Sequence, residues 1–113
     1  MNPYLFVINI VPMPDNKDCE DIAGAKAHVW VIAEDKESAK LRAINYIEKS
    51  LWKVINFEYE LEIHQEQIPS LHEDEVRLYE RALQHGIAAD YIAYPKKPGK
   101  PDDPVIKRQL RNP

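Results

Sequence analysis

The sequence predicts an α+β fold. A mostly antiparallel four-stranded sheet carries two helices on one face as a two-layer sandwich, followed by an extended C-terminal tail. Three observations lead there. Strand-period and helix-period segments alternate in the order ββαβαβ. The chain's 113 residues, 44% hydrophobic and 30% charged, suffice for one core and do not match a disordered composition. Its composition also changes abruptly after Tyr94.

Residues 4–11 are an apolar run broken only by Asn9, which reads as a strand buried on both faces. Residues 13–25 hold Pro14, Asp15, Asn16, Asp18 and Gly24 and read as a loop. Residues 27–33 are rich in β-branched and aromatic side chains and read as a second strand, antiparallel to the first. Asp35 then stands as an N-cap, with Glu37 in the first turn, where the helix dipole favours an acid. Ala39, Ala43 and Ile47 recur at helical spacing, and the two alanines let a helix lie close on a sheet.

Residues 52–64 alternate. Ile55, Phe57, Tyr59, Leu61 and Ile63 fall on one face, expected to be buried; Glu58, Glu60, Glu62 and His64 fall on the other, expected to be wet. Ser70 and Glu73 fit a capping box for a second helix with an apolar stripe of Leu71, Leu78, Tyr79, Ala82 and Leu83. Gly86 stands at its left-handed end. Residues 87–94 make a weaker last strand.

Charge divides the chain in two. Residues 1–94 hold 9 Lys/Arg against 17 Asp/Glu, a net of −8. Residues 95–113 hold 6 against 2, a net of +4, with five of the nine prolines. The expected organisation is an α+β domain over 1–94 and a basic, proline-rich arm over 95–113. Within the arm, Asp103 before Pro104 would cap a short helix over 104–111.

Several classes are excluded or disfavoured. One cysteine, Cys19, allows no intramolecular disulfide and no multi-cysteine zinc site, and fits a reducing, cytoplasmic setting. No stretch is long and apolar enough to span a membrane. The N-terminal apolar run has no preceding Lys or Arg and meets Pro12 and Pro14, unlike a signal peptide. The loop acids Asp15, Asp18, Glu20 and Asp21 miss the calcium-loop pattern, since Lys17 and Cys19 occupy ligand positions. His28, His64, His72 and His85 form no metal-ligand pair by spacing, and no nucleophile–base pattern is visible, so neither a metal nor a cofactor is expected.

Three constellations remain. Glu58, Glu60 and Glu62, with His64 beyond, would place carboxylates in a row about 7 Å apart, either as a solvated strand face or as a surface for a basic partner. Lys96, Lys97, Lys107 and Arg108 in the arm suit an acidic surface. A body at −8, and a tail without aromatic residues after Tyr94, count against nucleic acid. Trp30, Trp52 and Tyr94 either fill the core or line a groove or dimer interface.

The stretch V-W-V-I-A-E-D-K-E-S-A-K-L-R-A-I, residues 29–44, resembles the strand–cap–helix opening of many small bacterial α+β proteins with ferredoxin-like folds. The resemblance is structural and brings no functional residue. The expectation is a small bacterial-type cytosolic protein that works by protein–protein contact as a homodimer. The alternatives are a small enzyme or ligand- or metal-binding domain using Glu58, Glu60, Glu62 and His64, and an acidic inhibitor of a basic target.

Overall fold

The computed structural model describes residues 1–96 and 108–110. Its strands are β1 (Asn2–Pro12), β2 (Ile22–Ala33), β3 (Trp52–Glu62), β4 (Ile87–Pro95) and β5 (Arg108–Leu110). Helix α1 (Lys36–Lys49) joins β2 to β3, and α2 (Glu73–His85) joins β3 to β4. Short 3-10 turns stand at Lys17–Cys19 and Gln65–Ser70. An antiparallel sheet with two helices makes the fold α+β, and β5 joins it as a fifth strand.

Every neighbouring pair is antiparallel, in the order β3-β1-β2-β4-β5. The β1–β2 hairpin is the centre. Because β2 and β3 both oppose β1, they run parallel to each other, and α1 crosses over β1 to connect them. This strand order does not match the ferredoxin-like expectation.

The helices lie on opposite faces, not on one. Tyr4, Phe6, Ile8 and Ile10 of β1 pack with Val29 and Val31 of β2 and with Ala39, Ala43 and Ile47 of α1. Leu5 and Trp30, from the alternate positions, pack with Leu78 and Ala82 of α2. The cause is readable in β1 and β2, which are apolar at both odd and even positions. A sheet apolar on both faces is stable only when both are covered.

Local capping follows the sequence in part. Asp35 accepts from the Ser38 amide at 2.7 Å and caps α1. That bond, with a further backbone bond from Glu37, holds its carboxyl below the ordinary 3.8. Gly86 ends α2 at φ 84°. Helix α2 is capped by His72, not by Ser70, whose hydroxyl instead donates to the Gln67 carbonyl inside the 3-10 turn. Strand β2 also begins five residues earlier than its apolar run, at Ile22, because Ala25 and Lys26 pair with Ile10 and Asn9 of β1, and Gly24 and Ile22 pair with Tyr94 and Pro95 of β4. The expected helix over 104–111 is contradicted at 108–110, which pair as a strand with Tyr91, Ile92 and Ala93; residues 104–107 and 111 lie outside the described residues.

Strand β3 departs most from its sequence pattern. Its pairing with β1 steps from Tyr59 to Phe57 and from Asn56 to Val54, so Glu58 and Ile55 are each an extra residue, or bulge. A bulge resets the side-chain alternation beyond it. Val54, Phe57 and Glu60 therefore share the α1 face, opposite Ile10, Ile8 and Phe6. Tyr59 and Leu61 lie on the α2 face, opposite Val7 and Leu5.

Candidate functional site

Two features of the α2 face stand out. The first is a carboxylate set among apolar groups. Trp30 is fully buried, and a buried indole N–H needs an acceptor. Glu75, in the first turn of α2, supplies it: Trp30 Nε1 donates to Oε2 at 2.6 Å, while His28 Nδ1 lies 3.0 Å from Oε1. Burial pushes the Glu75 carboxyl up. The hydrogen bonds from His28 and Trp30, with the nearby imidazoles, outweigh it and hold the group below its ordinary 4.5. A cleft of about 190 Å³ opens beside this pair, lined by His28, His72, Asp74, Leu78, Asp90 and Ile92. Asp90 is engaged by Arg81 at 3.7 Å.

The second feature is an open half-face. Among the described residues, helix α2 lies over β2 and β4, while on the β1–β3 side of this face Leu5 and Val7 of β1 are buried and Ile68 and Leu71 pack near Ile63. Beyond that, Ile55, Tyr59 and Leu61 are 53%, 56% and 43% exposed. The polar groups among them are already matched. Lys26 reaches across β1 to Glu58 at 3.0 Å, and Asn9 donates to Asn56 at 2.7 Å. The hydrogen bond from Lys26 to Glu58 and their mutual attraction raise the lysine's pKa above its ordinary 10.5.

The carboxylate row expected on β3 is split by the bulge at Glu58. Glu58 meets Lys26 on the α2 face, whereas Glu60 meets Lys40 at 3.2 Å and Lys36 at 3.7 Å on the α1 face. Glu62 pairs in register with Tyr4 on that second face and is exposed. His64 is exposed at the start of the 3-10 turn, where its backbone N–H donates to Gln67 Oε1. Among the described residues, no group of three or more His, Cys, Asp or Glu is placed to hold a metal ion.

The aromatic candidates are divided between the two faces of the sheet. Trp30 is buried under α2 beside Tyr79, with ring centroids 5.5 Å apart. Trp52 is buried on the α1 face against Tyr91, also at 5.5 Å. Tyr94 is half-buried opposite Gly24. Of the arm's candidates, Lys96 donates its backbone N–H to the Asp21 carbonyl, and Arg108 opens β5. Lys97 and Lys107 lie outside the described residues.

Glu75 was missed by sequence reasoning, although a signal was present. It falls between Leu71 and Leu78 at helical spacing, so a carboxylate stands on an apolar stripe. That position calls for a buried donor, and the neighbouring strand offered Trp30.

Among the described residues, no helix is long and apolar enough to cross a membrane. Comparisons with protein-family models, with curated proteins and with solved structures each return no match.

Proposed function

We propose that this chain is a homodimeric protein-contact module of the cytoplasm whose contact surface is the open half of the α2 face. The observation that carries the reading is that Ile55, Tyr59 and Leu61, three large apolar side chains of one edge strand, are each left exposed. Clustered exposed apolar side chains on a small protein mark an interaction surface.

Charge supports a second copy as the occupant. Residues 1–94 carry a net of −8, so two copies repel over most of their surfaces. Beside these side chains Glu58 is neutralised by Lys26. A neutral apolar patch on an acidic body is where like molecules meet at least cost. A two-fold contact uses the same patch on both subunits, which suits a self-neutral surface.

The test is light scattering on the full chain beside Tyr59→Asp and Ile55→Asp. A dimeric mass for the natural chain and a monomeric mass for folded variants is expected. A monomeric natural chain at high micromolar concentration overturns the homodimer. In that case, retention on a basic partner that either substitution abolishes would assign the surface to a foreign protein, as an acidic inhibitor would require.

A further inference from the structure

The cleft beside His28 and Glu75 takes no part in the contact surface proposed above, and its chemistry is specific. An ionised carboxylate can only accept hydrogen bonds. Glu75, ionised at neutral pH, accepts from Trp30 Nε1 at 2.6 Å, and its other oxygen lies 3.0 Å from His28 Nδ1. The proton of the neutral His28 ring is therefore on Nδ1, which leaves a lone pair on Nε2. Among the described residues, that nitrogen has no hydrogen-bond partner.

The walls around this ring carry one sign of charge. Asp74 and Glu75 of α2 and Asp90 of β4 line the cleft with His28, and among the described residues no Lys or Arg lines it. The side chains of Glu75 and Asp90 are 21% and 18% exposed, so solvent and salt screen them incompletely. The N-terminus of α2 opposes a cation with about half a charge, which three carboxylates outweigh. Leu78 and Ile92 give the cleft an apolar part. Among the described residues no three acids or imidazoles are placed to hold a metal ion, which favours an organic cation.

We propose that this cleft of about 190 Å³ binds a small alkylammonium ion, whose N–H groups donate to His28 Nε2 and to the carboxylates while its chain rests on Leu78 and Ile92. Glu75 is then a positioning residue, since it fixes which ring nitrogen of His28 accepts. The inference is independent of the homodimer reading, because Ile55, Tyr59 and Leu61 do not line the cleft.

The test is an NMR titration of the full chain with n-butylammonium, beside butyrate and n-butanol. Saturable shifts at His28, Leu78 and Ile92 are expected with the cation alone. Asp74→Asn combined with Asp90→Asn should weaken binding about fivefold or more. Glu48→Gln combined with Glu80→Gln removes the same charge outside the cleft and should leave binding unchanged. Equal losses in the two double variants would reduce the effect to net charge and overturn the site. So would the absence of saturable shifts with the cation. Equal binding of n-butanol or butyrate overturns the cation class. Should the cleft variant fail to fold, nuclear Overhauser contacts on the natural chain decide. Contacts from the butyl protons to Leu78 and Ile92 support the site, and contacts confined to other residues overturn it.

Discussion

Glu75 holds α2 to the sheet through two donors on one strand, His28 and Trp30. Removing it by Glu75→Ala strands a buried indole N–H, and the expected loss is about 2 kcal/mol at neutral pH, read by chemical denaturation. The folded carboxyl titrates below its ordinary 4.5, so its contribution is complete above that pH. It fades as pH falls through the depressed folded value, and the gap between the natural chain and Glu75→Gln should close there. A gap that instead widens in acid would contradict the ionised tie. Two backbone positions make a matched pair. Gly86 sits at φ 84°, and an added Cβ would stand 2.8 Å from Arg42 Nη2, which itself donates to the Gly86 carbonyl. Gly86→Ala should cost about 1–3 kcal/mol. Leu51, just past α1, holds a similar angle of φ 65° without being glycine. Leu51→Gly relieves that strain and should leave thermal stability unchanged or raised by up to about 1 kcal/mol.

At the level of elements, what the sequence made legible depended on whether a rule was local. The cap at Asp35, the glycine end of α2 and the alanine face of α1 are each decided within a turn or two, and they appear as read. Ala39 and Ala43 are fully buried, so α1 lies close against β1 and β2. Ala43→Leu should therefore overpack this seam and destabilise by about 1–3 kcal/mol, measured by thermal melting. Strand β3 shows the opposite case. Its pattern of alternating apolar and acidic residues is regular, but pairing with β1 inserts bulges at Ile55 and Glu58. No local propensity marks a bulge, because the partner strand's register sets it. The candidate carboxylate row is split for that reason: Glu58 and Glu60, two apart in sequence, meet lysines on opposite faces. The same bulges leave Ile55, Tyr59 and Leu61 of this strand exposed. The cap of α2 also moved because Ser70 was taken by the preceding 3-10 turn.

At the level of the whole molecule, the double-sided apolar character of β1 and β2 was visible in sequence and already implied cover on both faces. Which element covered the second face was not, since that depends on α2 crossing to the far side between β3 and β4. Among the described residues, Tyr59 and Leu61 of β3 stay exposed on that face. The charge division at Tyr94 gains a structural meaning as well, because residues 108–110 return to the sheet as its edge strand instead of standing apart. Acidic bodies that associate through a neutral patch and oppositely charged arms should show a particular salt response: the apolar contact persists, while the arms' contribution weakens as the Debye length falls below about 10 Å at 0.1 M salt. The most direct measurement is sedimentation equilibrium of the full natural chain across a hundredfold concentration range. A mass converging on twice 13.2 kDa, and returning to 13.2 kDa with Tyr59→Asp, is the predicted result. A mass of 13.2 kDa at every concentration would contradict the dimer and with it the role assigned to the open half-face.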